Sequence, residues 1–236
     1  MTPTLLLTRP QAQSERFATE ARARLGAEVP VVISPVLQIE PTGAAVSLKA
    51  IAAVILTSEN GARALAEAAD VSGLTAYCVG DRTAATADAA GMTAISAGGS
   101  ADDLVTLIRA EAPQGRLLFA HGAETRGEVR ERLTAAGFDI EDVTLYRQLR
   151  QPLTPKAQAL LASDTPVIAP LFSPRSARIL GDAGASASAP LTLIALSQAV
   201  AEAWTGPTPA RLLVAEKPEA AGILGKLSEA YGTRRA

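Results

Sequence analysis

Val54–Leu65 reads VILTSENGARAL, and Ala169–Leu180 reads APLFSPRSARIL. Laid over each other, they share Leu56 with Leu171, Ser58 with Ser173, Ala62 with Ala177, Arg63 with Arg178 and Leu65 with Leu180. Each is an apolar run that stops at a serine and continues with helical spacing. Each therefore predicts a buried strand turning into a helix at a serine N-cap. Pro174 suits the first helical position of the second copy.

The duplication extends on both sides of this pair. CVGDRTAATADAAG from Cys78 matches LIALSQAVAEAWTG from Leu193, and LLLTRPQ from Leu5 matches LLFAHGA from Leu117. The order is first half-unit, second half-unit, then both again, which means duplicated domains rather than a solenoid. Short, nearly continuous apolar runs alternate with alanine-rich helical stretches throughout, the pattern of parallel α/β sheets covered on both faces. Sequential pairing of the half-units puts a boundary near EAPQG, around residue 113. The other pairing makes the two central half-units one domain and the two chain ends the other. SPVLQIEP and VTLYRQLRQP then become crossing connectors, and their proline-bounded alternation suits extended chain.

Composition excludes several function classes. Net charge is −2 and aromatic residues are only 3% of the 236, so neither a basic footprint nor stacking platforms for nucleic acid exist. One cysteine and one histidine leave no zinc cluster and no internal disulfide, so no metal is expected. The longest apolar runs are too short to span a bilayer, and MTPTLLLTRP meets Arg9 after only three leucines, unlike a signal peptide. A cytoplasmic protein with no membrane or nucleic-acid partner is expected. Without a surplus apolar helix, a monomer is expected too.

Taken together, LLLTRP, VILTSENGARAL, VGDRTAATADAAG, GFDIEDVTLYR, LFSPRSARIL and LIALSQAVAEA resemble the uroporphyrinogen-III synthase family, in order and spacing, over almost the whole chain. The resemblance implies two similar flavodoxin-like α/β domains with parallel sheets, one of them discontinuous, joined by a two-stranded connector. It selects the crossed pairing: residues 1–35 with 153–236, an inserted domain over 42–143, and connectors at about 36–41 and 144–152. The implied reaction closes the linear tetrapyrrole hydroxymethylbilane with inversion of its last ring and loss of water, giving uroporphyrinogen III for haem, sirohaem and corrinoid synthesis. No cofactor is implied, and hydroxymethylbilane synthase is the expected upstream partner.

The substrate that the resemblance implies is a polycarboxylate that closes unaided to the uninverted isomer. The protein must mainly fold and hold it, a task of orientation needing few strong acids or bases. Helix N-termini hold carboxylates through free N–H groups and the dipole. Strand C-terminal ends are where open parallel sheets bind ligands. The expected contacts are therefore Ser58 and Asn60, Gly80 and Thr83, Ser173 and Arg175, and Ser197 and Gln198, with Arg9 and His121 from the first half-units. Two such sheets facing one another are expected to form a cleft, with hinging connectors. Without the resemblance, Ser58 and Ser173 read first as N-caps, Arg63 and Arg178 as solvated faces, Arg126 as a charged helix start and Cys78 as core. In DVTLYRQ, Tyr146 matches the tyrosine of the family's V-x-V-Y motif, which implies that its neutral phenol donates to the departing hydroxyl. One departure stands out. The family reads Gly-x-Thr at the second-copy turn, and this chain has Ala195-Leu196-Ser197-Gln198.

Two other classes compete. Two α/β lobes with crossing connectors also describe a diverged, non-catalytic small-molecule-binding protein, which the absent signal peptide argues against for periplasmic receptors. A two-domain glycosyltransferase fits less well, because no nucleotide-binding signature such as GxGxxG occurs.

Overall fold

The computed structural model describes residues 2–124 and 128–232. Along the chain run β1 (Thr4–Leu7), α1 (Gln11–Leu25), β2 (Val31–Ile33), β3 (Leu37–Pro41), β4 (Ile51–Leu56), α2 (Glu59–Ala68), β5 (Thr75–Cys78), α3 (Asp81–Ala89), β6 (Thr93–Ser96) and α4 (Ala101–Glu111). They continue with β7 (Arg116–Gly122), α5 (Val129–Ala135), β8 (Ile140–Arg150), α6 (Pro155–Leu161), β9 (Val167–Leu171), α7 (Pro174–Ala183), β10 (Leu191–Ala195), α8 (Gln198–Glu202), β11 (Arg211–Val214) and α9 (Ala220–Ala230). The chain divides into two compact units, one joining Met1–Gln38 to Leu149–Ala236 and the other formed by Ile39–Gln148. It enters the second unit along β3 and leaves along β8, and these two strands are neighbours.

The first unit holds a five-stranded sheet in the order β11-β10-β9-β1-β2, every pair parallel. The second holds a six-stranded sheet in the order β3-β8-β7-β4-β5-β6, parallel from β8 to β6. Matching the copies, β7 and β8 take the places of β1 and β2, and β4, β5 and β6 those of β9, β10 and β11. Both sheets then run 2-1-3-4-5, the flavodoxin order. The duplicated pattern is thus a duplicated topology, entered at a different point in each copy.

Strand alternation explains why the strands look uniformly apolar. Leu5 and Leu7 pack on one face of their sheet while Leu6 packs on the other. In the second sheet, Val54 and Leu56 face α2 and α3 residues such as Leu65 and Ala87, whereas Ala53 and Ile55 face Leu104, Ile108 and Leu133. Both faces are covered by helices, so neither set of positions can be polar.

The helix starts follow their side chains. Ser58 accepts from the Gly61 N–H at 3.0 Å, and Ser173 from the Ser176 N–H at 3.1 Å. Ser100 and Asp103 form a reciprocal capping box on α4. Thr154, followed by Pro155, caps α6. These caps place the helix N-termini at the carboxyl ends of the strands.

Candidate active site

In a 2-1-3-4-5 sheet the strand order reverses between the first and third strands, and the crevice beyond their carboxyl ends is the expected ligand position. In the second unit that point lies between β7 and β4. Ser58 follows β4 and caps α2. Its Oγ is 2.9 Å from the Tyr146 hydroxyl and also accepts from Gly61. Two glycines make the approach of these groups possible. A β-carbon on Gly61 would stand 3.1 Å from the Ala120 carbonyl oxygen, and one on Gly122 only 2.5 Å from Cε2 and Cζ of Tyr146.

Tyr146 reaches this position through a bulge. The β7–β8 register pairs Ala120 with Val143 and His121 with Thr144, then Gly122 with Tyr146, leaving Leu145 as the extra residue. Val143 and Leu145 face the α2–α3 side, and simple alternation would send Tyr146 to the opposite face. The inserted residue returns it to the same side, where it joins the core cluster of Leu56, Ala62 and Ala120. Thr42 holds the bulge from outside: its N–H donates to the Leu145 carbonyl and its hydroxyl to the Thr144 carbonyl.

Burial pushes the Tyr146 phenol above its ordinary range; the Ser58 bond pulls it down and the Glu124 charge adds to the rise. The phenol therefore stays protonated at neutral pH. Two hydroxyls sharing one hydrogen bond leave one O–H proton uncommitted, whichever of them donates. The pair thus offers a proton beside the N-terminus of α2.

Thr83 lies in the first turn of α3, at the end of neighbouring β5. It is 5% exposed, and among the described residues its hydroxyl has no partner and no buried side-chain polar atom is unsatisfied. The hydroxyl is therefore the part of Thr83 that reaches solvent. Gly80, the N-cap of α3, is extended at φ −169°, a conformation open to any residue. What limits it is space, since a β-carbon there would meet the Gly99 Cα at 3.3 Å. Asn60 is half-buried in the first turn of α2 and has no partner among the described residues.

His121 stands apart from this group. Its side chain lies on the other face of the sheet, stacked on Phe119 with ring centroids 4.6 Å apart. Its Nδ1 is 2.8 Å from the Gly122 carbonyl oxygen and its Nε2 is 2.9 Å from an Asp142 carboxylate oxygen. Both ring nitrogens are engaged, and the sheet separates them from the Tyr146 hydroxyl.

The first unit repeats the arrangement with different chemistry. At its reversal point, between β1 and β9, the Arg9 guanidinium lies 4.3 Å from the centre of the Phe172 ring, which packs edge-on to Phe17. This stack holds a positive charge at the strand ends. Thr8 beside it is 3% exposed, with a hydroxyl that also lacks a partner among the described residues and so opens to solvent. Ser173 caps α7, and its hydroxyl is 2.8 Å from that of Ser176. Arg175 sits half-buried in the first turn of α7. Ser197 is the N-cap of the short α8 but accepts no bond from it, and the exposed Gln198 amide donates to Glu202. Arg63 bridges to Glu59 along α2, and Arg178 is exposed. Arg126 lies outside the described residues.

Gly122, Gly61 and Phe172 have no functional signature in the sequence; each matters through the neighbour that the fold brings to it. Among the described residues, no group of three or more His, Cys, Asp or Glu side chains is placed to hold a metal, and no helix is long and apolar enough to cross a membrane.

The family model for uroporphyrinogen-III synthase HemD matches residues 16–225. The chain belongs to the uroporphyrinogen-III synthase family. Its activity is that of the family, a carbon–oxygen lyase that cyclises hydroxymethylbilane to uroporphyrinogen III. Two solved structures share the fold across nearly their full length. The uroporphyrinogen-III synthetase of Helicobacter pylori is 14% identical with a TM-score of 0.66, covering 97% of this chain and 99% of its own. A mutant uroporphyrinogen III synthase of Thermus thermophilus is 17% identical with a TM-score of 0.52, covering 98% and 100%. No curated protein matches the chain.

Proposed function

We propose that the strand-end turns of each unit hold the carboxylates of the open-chain tetrapyrrole, and that the Tyr146–Ser58 hydroxyl pair helps its hydroxyl group leave as water. The observation that carries this reading is the 2.9 Å contact between those hydroxyls, at the reversal point of the six-stranded sheet and against the N-terminus of α2. A carboxylate there meets the positive end of the helix dipole. Thr83 and Asn60 extend the donor set in this unit; Arg9, Ser173, Arg175, Ser197 and Gln198 form the corresponding set in the other. Gly80 contributes backbone, and His121 contributes through the strand it braces rather than by direct contact.

The chemistry asks little of the protein. The carbon–oxygen bond of the hydroxymethyl group breaks, the pyrrole supplies electrons to the carbon, and the oxygen takes a proton to depart as water. A neutral phenol held in place can give that proton, and Ser58, hydrogen-bonded to it, can relay another in its stead. General acid catalysis of this kind contributes about 10²-fold or more. Holding the chain so that the inverted ring closes is the larger task. A cytoplasmic location, with an upstream synthase that supplies the linear substrate, goes with this reading.

The test is the isomer made from freshly generated hydroxymethylbilane. Isomer III is expected from the wild-type protein. Tyr146→Phe is expected to lower kcat about 10²-fold while leaving the far-UV spectrum intact. Only isomer I from the wild type rejects the synthase reading; unchanged turnover in the Phe variant removes the role given to Tyr146.

A further inference from the structure

The His121 ring lies on the face of the sheet opposite Tyr146, yet it touches the one peptide unit on which Tyr146 rests. Its Nδ1 meets the Gly122 carbonyl oxygen at 2.8 Å. The other end of that peptide, the Ala123 N–H, donates to the Tyr146 carbonyl at 2.8 Å. The Gly122 Cα is the platform beneath the Tyr146 ring. One peptide plane is thus gripped by His121 at its oxygen and by Tyr146 at its nitrogen, beside the residue that lets the ring lie flat.

A carbonyl oxygen only accepts, so Nδ1 carries a proton here. Asp142 then sets the orientation of the ring from β8, at 2.9 Å from Nε2. The two bonds together need a proton on Nδ1 and another between Nε2 and the carboxylate. Stacking on Phe119 and a side chain only 12% exposed remove the remaining rotational freedom. The strap lies where the β7–β8 register breaks, the point at which ladder bonds alone define the peptide orientation least.

We propose that His121 is a positioning residue for Tyr146: through the Gly122 carbonyl it fixes the peptide that aims the phenol at Ser58. This rests on the reading that Tyr146 acts on the substrate. It assigns His121 a role on the rate of the chemical step and none in substrate binding.

Two conservative replacements separate the two ring nitrogens. The Asn amide nitrogen occupies the place of Nδ1, so His121→Asn keeps the bond to Gly122 and loses Asp142. The Gln amide nitrogen reaches the place of Nε2, so His121→Gln keeps Asp142 and releases Gly122. Each variant loses one hydrogen bond, and a merely structural role treats them alike. The expected result is that His121→Gln lowers kcat about tenfold with KM within about twofold, whereas His121→Asn recovers most of the rate. A second readout is independent of turnover. In protein carrying ring-labelled tyrosine, the NMR signal absent from Tyr146→Phe identifies Tyr146. It is expected to shift in His121→Gln and to hold in His121→Asn. Equal losses in both variants, a raised KM at unchanged kcat, or an unmoved Tyr146 signal in His121→Gln overturns the proposal. If the wild type makes only isomer I, the synthase reading fails and the ring signal alone still decides whether His121 positions Tyr146.

Discussion

The Tyr146 ring lies so close to Gly122 that a β-carbon there would stand 2.5 Å from two of its carbons and 2.9 Å from its hydroxyl oxygen. No real side chain tolerates such contacts, so the smallest substitution at position 122 must move the phenol or the strand. Gly122→Ala is expected to cost about 1–3 kcal/mol, as overpacking does, and to lower kcat more than it raises KM. Urea denaturation with the isomer assay checks both. A variant with wild-type stability and rate would show that the ring moves aside at no cost and that its placement is unimportant.

Thr83 offers the opposite case, a buried residue whose hydroxyl has no partner among the described residues. Thr83→Val keeps the branched shape and removes only that hydroxyl. Stability is expected to change by less than about 0.5 kcal/mol, as substitutions that break no internal contact usually do. KM for the bilane should rise several-fold. Thr83→Ser should retain the contact, and an unchanged KM in Thr83→Val would remove Thr83 from the binding set.

Alkaline stability follows from groups whose protonated form is favoured by burial. Burial, with a smaller contribution from the Asp88 charge, pushes the Cys78 thiol up to about 12, and burial alone pushes Tyr231 to about 12. Tyr146 and Tyr77 are raised as well, by burial first. In each case the folded chain holds its proton to higher pH than the unfolded chain. The stabilisation is complete below the unfolded values, near 9 for the thiol and 10 for the phenols, and is lost as pH rises through the folded ones. Denaturation midpoints are expected to fall from about pH 9 upward, and less steeply in Cys78→Ala. A midpoint flat to pH 11 would contradict this.

Ala112 ends α4 at φ 45°, ψ 51°, in the left-handed region that disfavours a β-carbon. Its carbonyl accepts from the Gln114 amide, and its N–H donates to Ile108. Neither bond needs the methyl group. Ala112→Gly is expected to raise stability by about 0.5–1 kcal/mol, because relief of strain exceeds the extra freedom of the unfolded chain. A lower denaturation midpoint in the Gly variant would reverse that balance.

Much of the architecture is legible along the chain because its causes are local. Leu5, Leu6 and Leu7 are all apolar because both faces of a parallel sheet are covered. Ser58 and Ser173 mark helix starts because a short hydroxyl can reach an amide three residues on. Matching half-units become matching strand orders because the same apolar periods select the same packing. The placement of Tyr146 has no local cause of this kind. Its face of the sheet depends on the extra Leu145, which is defined only by the register of β8 against β7, and its depth depends on Gly122. Nor does any pattern tell that Arg9 stacks on Phe172, since the two meet only when β9 lies beside β1. His121 looks like a strand-end cation until the fold gives it Gly122 and Asp142.

The amino-acid sequence by itself determined the class of fold, the duplication within it and the family, because burial periodicity, caps and motif order are written in neighbouring residues. Tertiary structure alone decided which hydroxyls pair, which peptide is gripped and which side of the sheet the phenol takes. Those are relations between strands, and a one-residue shift in register is enough to reverse them.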